Sequence, residues 1–170
     1  MRVGKLTQLA LLCALTVIGK ELMHFLPNIH PVALLLILTT LVYGSAAFAV
    51  AVCFTLLEAM LYGFGLWTVQ YLLAFPLLVA AVLPFRKSGS RLFFALLAAA
   101  HGLTFGAVCA LVWLFAAGGR AALAYWVSGI PFDLIHGVSN GLLVWFLLPP
   151  LRSFFTKFAP VSGENPSNCR

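Results

Sequence analysis

Long, uninterrupted apolar runs constrain this chain more than any other feature. Six can be drawn, at 6–26, 31–43, 46–62, 67–84, 91–117 and 129–149. A water-soluble domain breaks such runs with charges, which make up about a quarter of its residues. Here the charged share is 8%, the hydrophobic share 63% and the mean hydropathy +1.07. The runs are too continuous for the alternating strands of a membrane barrel. A bilayer leaves the backbone to satisfy its own hydrogen bonds, so each run is expected to be a helix. The predicted fold is an all-α membrane protein: one compact bundle of six transmembrane helices over residues 1–155, then a disordered polar tail from 156 to 170. The second run is short, and the fifth is long enough to tilt or project.

Charge gives the predicted orientation. With the N-terminus inside, Arg2, Lys5, Arg86, Lys87, Arg91, Arg152 and Lys157 fall on the inner side, and only Lys20 and Arg120 fall outside. That asymmetry follows the positive-inside rule and puts both termini in the cytoplasm. The net charge of +6 is scattered over span ends, so no nucleic-acid partner is expected. The basic start and apolar stretch "MRVGKLTQLALLCALTVIGKE" lack a small-x-small cleavage site, so it reads as a retained first helix. Cys13, Cys53, Cys109 and Cys169 show no CxxC or Cys/His metal spacing and read as core filling, with neither metal nor cofactor implied.

The unusual polar residues collect at one depth. Lys20, Glu21 and His24 end the first run, Glu58 and Tyr62 end the third, and Trp67, Gln70 and Tyr71 open the fourth. In "PFDLIHGVSNGLLVWFLLPPL", Asp133, His136 and Asn140 share one helical face. In the predicted orientation nearly all of these lie in the outer half. Ionisable groups in spans face a bundle interior or a wet cavity. A channel would carry polar groups through its whole depth, so the expectation is a binding cup open to the outside and sealed below.

Each candidate also has a plainer role. Asp133 could cap a helix start, and His136 and Asn140 could bond neighbouring helices. Glu58 could pair with His136 or meet a cationic ligand. Trp67, Gln70 and Tyr71 share a face and form either an interfacial belt or a stacking wall. Tyr125 and Trp126, in an expected outer loop, are belt or lid. Asn28 and His30, in the turn "PNIHP", either shape the loop or touch ligand. His101, in "AAAHGLTFG", is expected to make a helix-packing hydrogen bond. Ala10 and Ala14 form a small-xxx-small pair that allows close helix approach.

Residues 5 to 155 resemble the S components, the substrate-binding membrane subunits of energy-coupling-factor (ECF) vitamin transporters. The resemblance rests on small size, six runs, cytoplasmic termini, the Ala10/Ala14 pattern, and the stretches "LPNIHPVALLLILTTLVYG", "LLEAMLYGFGLWTVQYLLAFP" and "GIPFDLIHGVSNGLL". It implies a protein of a prokaryotic cytoplasmic membrane with no catalytic activity. Such a protein would bind a small water-soluble vitamin outside, dock on a transmembrane T component carried by two ATPase subunits, and release its ligand inside. Ala10 and Ala14 would face the T component, with Gly19 extending that face; the adjoining Lys20-Glu21 pair departs from the pattern. The residues suggest a heteroaromatic ligand held by Glu58, Trp67, Gln70, Tyr71, Asp133, His136 and Asn140, thiamine-like or pyridoxine-like. The rival readings are a membrane enzyme with a His/Asp/Glu metal site, an autonomous ion-coupled transporter, and a structural membrane protein. No GxxxxGK[ST], HExxH or GxSxG motif is present.

Overall fold

The computed structural model describes residues 3–158. They form six α-helices: α1 (Val3–Leu22), α2 (Val32–Tyr43), α3 (Ala47–Tyr62), α4 (Leu66–Val82), α5 (Arg91–Ala117) and α6 (Gly119–Phe158). Short 3-10 turns at Gly44–Ala46 and Leu83–Phe85 follow α2 and α4. Five stretches are long and apolar enough to cross a membrane: Val3–Leu22, Val32–Tyr62, Leu66–Phe85, Arg91–Ala117 and Gly119–Lys157. The second of these holds both α2 and α3, and Gly44 divides it at φ 64°.

Side-chain contacts give the direction of each helix. Cys13 reaches the Val50 carbonyl and Lys20 reaches Glu58, so α1 and α3 run the same way. Tyr43 donates to Gln8, and Gly19 lies against Pro31, so α2 runs against α1. Gln70 meets Cys109, and Phe75 meets Phe105, so α4 and α5 are antiparallel. Gly106 meets Asp133 and Gly102 meets Gly137, so α6 returns along α5. Direction therefore alternates along the chain. Gln8, Tyr43, Arg86 and Arg152 gather at one end of the bundle, where Arg152 donates to the Ser88 carbonyl and Arg86 lies against Gly44.

The short α2 is the axis. Every residue from Val32 to Thr40 is buried, as expected of a helix that is apolar all round. Thr39 and Thr40 return their hydroxyls to the Leu35 and Leu36 carbonyls, at 2.6 and 2.7 Å. Twelve residues span only about 18 Å, against a hydrocarbon core of about 30 Å. Residues 23–31 run from α1 to α2 and touch α6, where Ser139 donates to the Asn28 carbonyl at 3.2 Å. Large apolar side chains such as Leu11, Leu56, Leu73, Leu103 and Leu142 point outward, which suits a lipid surround.

Two expectations are corrected here. The last helix was expected at 129–149 with a loop before it, but α6 is continuous from Gly119 and carries Tyr125 and Trp126 within it. The sequence "RAALAYWV" is rich in good helix formers, and the chain breaks earlier, at Gly118 with φ 84°. Pro131 removes one backbone donor without ending the helix, as do Pro149 and Pro150. The polar tail read from 156 is helical through Phe158; the rest of it lies outside the described residues.

Candidate functional site

The polar residues divide into two groups. The first joins α1 to α3. Lys20 forms an ion pair with the buried Glu58 and a second, at 3.2 Å, with Glu21. Glu21 accepts a hydrogen bond from Tyr62, and the Lys20 ammonium lies 5.1 Å from the centre of the Tyr62 ring. Glu58 is 1% exposed, and one of its oxygens has no hydrogen-bond partner. Its counter-charge is thus Lys20, not His136. The structure favours the pairing role for Glu58.

The second group lies where the 23–31 segment meets α5 and α6. The His30 and His136 rings are 5.1 Å apart, and His101 is 6.3 Å from His136. His136 is 2% exposed and Asn140 is 1% exposed. Both ring nitrogens of His136 and both amide atoms of Asn140 lack a hydrogen-bond partner, as do His30 Nδ1 and His101 Nε2. An unpartnered buried polar group costs on the order of 1–3 kcal/mol. Six such atoms on four neighbouring side chains are therefore a large local cost, and buried groups of this kind call for an explanation.

Aromatic rings line the same place. Phe105 packs edge-on against His136 at 5.1 Å and against His101 at 5.7 Å. Phe75 lies 5.9 Å from Phe105 and 4.9 Å from Tyr71. Tyr71 continues to Trp67 at 5.4 Å and to Phe54 at 6.4 Å. The rings run from α3 through α4 and α5 to α6. Tyr71 belongs to this wall and Trp67 stands at its edge. Gln70 is turned to the Cys109 carbonyl at 3.3 Å.

Glycines create the site by letting α5 and α6 touch. A Cβ at Gly102 would stand 2.6 Å from the Gly137 nitrogen, and one at Gly106 would collide with the Asp133 carboxylate. Asp133 accepts from the Gly106 N–H with both oxygens, at 3.0 and 3.2 Å. It ties the two helices together rather than capping a helix start. This contact sets His136, one turn along α6, beside His101 of α5.

Sequence reasoning named Asn140, His136 and His30, which the fold brings together, with Asn28 beside them. It missed His101, whose expected packing bond is absent at Nε2. The signal was the glycine pair Gly102 and Gly106 that follows it on α5. Phe75 and Phe105 were also missed, because an aromatic in an apolar run carries no mark of its own. Tyr125 stacks on Trp113 at 5.7 Å, beside Gln70 and Cys109, and Trp126 faces outward. Ala10 and Ala14 face outward on α1.

The site is closed rather than an open cup, since His30 and Phe105 lie over His136. Among the described residues no three His, Cys, Asp or Glu side chains are grouped to hold a metal ion. His136 also lacks the second hydrogen bond that usually orients a metal-bound imidazole. What the cluster offers is donors and acceptors on imidazole and amide edges, against aromatic faces. Comparison with family models, with curated proteins and with solved structures returned no match for this chain.

Proposed function

We propose that this chain is the substrate-binding S component of an ECF-type importer in the cytoplasmic membrane of a prokaryote, with both termini in the cytoplasm. The observation that carries the reading is the set of unpartnered buried groups on His30, His101, His136 and Asn140. A ligand bearing complementary donors and acceptors would relieve their cost on binding. The outward face of Ala10 and Ala14 on α1 supports docking to a transmembrane T component that carries two ATPase subunits.

Two contacts support a narrower ligand class in this reading. Glu58 is already paired with Lys20, and Asp133 is held by the Gly106 N–H at the α5–α6 contact. The groups that remain suit an uncharged, flat, hydrogen-bonding ring, pyridoxine-like before thiamine-like, stacked against Phe105 and Phe75.

Native mass spectrometry of protein purified gently from rich medium tests this. A vitamin-sized heterocycle retained by the wild type and lost from His136→Phe and Asn140→Ala supports the reading. A stoichiometric metal would replace it with the membrane-enzyme reading. Uptake by the chain alone in liposomes would replace it with an autonomous transporter.

A further inference from the structure

A second feature lies at the opposite end of the α5–α6 hairpin, about 15 Å along α5 from His101. A cavity of about 530 Å³ opens where α5 begins and α6 passes it, within the roughly 300–1,000 Å³ typical of small-molecule sites. Its wall has two characters. Phe94, Leu148 and Pro149 are apolar, whereas Arg91 and Arg152 bring two guanidinium groups.

Both arginines are positioned. The Arg91 guanidinium stacks on the Trp145 indole, 3.9 Å from the ring centre. Stacking occupies the face of the guanidinium and leaves its N–H edge available. Arg152 donates one N–H to the Ser88 carbonyl at 2.9 Å, and a guanidinium has five. Neither has an anionic partner among the described residues. The described acids are Glu21, Glu58 and Asp133. The first two are held by Lys20 and the third by Gly106, all well away from this end. Arg86, Lys87 and Lys157 add further positive charge here. A fixed anionic partner for the pair would therefore come from outside the described residues.

We propose that this cavity binds the phosphate of an anionic phospholipid of the adjacent leaflet. Arg91 and Arg152 would clamp the phosphate oxygens, and the exposed Leu92 and Pro149, over the buried Phe94 and Leu148, would receive the glycerol and first acyl carbons. The mixed wall is what distinguishes such a site from a site for free phosphate, which has no use for an apolar half. Basic pockets between membrane helices are a recognised form of headgroup site, and paired guanidinium groups suit phosphate geometry. The proposal needs only the membrane setting and is independent of the transport reading.

The test is native mass spectrometry of the full chain released from nanodiscs of 1:1 phosphatidylglycerol and phosphatidylcholine. One phosphatidylglycerol should remain at collision energies that strip phosphatidylcholine. The double variant Arg91→Gln/Arg152→Gln should retain it roughly tenfold less, while Lys157→Gln on the same end should match the wild type. Equal retention of both lipids by the wild type overturns the proposal without recourse to any variant. So does an equal loss in Lys157→Gln, which would mean general charge attraction. Full displacement by 1 mM inorganic phosphate would make this a free-anion site. Retention seen only after residues 159–170 are removed would assign the cavity to the chain's own C-terminal segment, and would also overturn it.

Discussion

Gly102→Ala is the sharpest test of how α5 and α6 build the site. A Cβ at this position would lie 2.6 Å from the Gly137 nitrogen and 2.7 Å from both the Gly137 Cα and the His136 carbonyl carbon. Ordinary contact begins near 3.4 Å, so α6 must retreat by about 0.8 Å (3.4 less 2.6). The neighbours are backbone, so no rotamer change relieves the clash. Overpacking of this kind destabilises by about 1–3 kcal/mol, and the better helix propensity of alanine returns up to about 1 kcal/mol. Because the neighbours are backbone, the upper part of the overpacking range, about 2–3 kcal/mol, applies, and the expected net loss is about 1–2 kcal/mol, a fall in Tm of roughly 2–8 °C for a chain of this size. The assay is thermal unfolding in mild detergent, followed by intrinsic fluorescence. Gly129→Ala is the matched control, since its added Cβ would meet nothing within 4 Å. It should melt at or slightly above the wild type. If Gly102→Ala also melts at or above the wild type, the close α5–α6 approach is wrong, and the juxtaposition of His101 with His136 fails with it.

Lys20→Met leaves Glu58 buried without its counter-charge and should destabilise by about 3–5 kcal/mol; Lys20→Met/Glu58→Gln should recover more than half of that in the same melt. His136→Phe should hold or raise Tm, because it removes two unpartnered ring nitrogens while keeping a ring. The same substitution should abolish retention of the co-purified ligand, and a variant that melts lower yet keeps its ligand would contradict both statements. Gly44→Ala meets a φ of 64° and the Arg86 guanidinium together, so a loss above about 1 kcal/mol is expected in thermal unfolding, eased by adding Arg86→Ala.

The helices were legible because lipid imposes one rule on every run: continuous apolar sequence becomes helix. Five of the six sequence segments differ from the observed helices by only a few residues at most ends. The failure at α6 is instructive. The expected span begins at 129, just before Pro131, but in the sequence alone nothing tells a proline at a first turn from one carried inside a long helix. The polar residues were legible individually, since His136 or Glu58 in an apolar run stands out. Their partners were not. Lys20 and Glu58 lie 38 residues apart, and only the parallel packing of α1 and α3 joins them. His101 looked like a packing residue until the approach of Gly102 to Gly137 placed α6 beside it. The contact of Asn28 and His30 with α6 depended on the shortness of α2, which was visible, and on its burial, which was not.

The three prolines of α6 have a mechanical consequence. A helix of 40 residues is about 60 Å long, roughly twice the hydrocarbon thickness. Each proline deletes one i to i−4 bond, so the rod is softened at Pro131 and again at Pro149–Pro150. Between those joints lies a stiff section of seventeen residues, 132 to 148, and it holds Asp133, His136, Asn140 and Trp145. Torque applied to either projecting end would bend the rod at its joints first and turn this section as one piece. His136 of the histidine cluster and Trp145, on which Arg91 stacks, thus ride on a single rigid segment, whereas Arg152 lies beyond the Pro149–Pro150 joint.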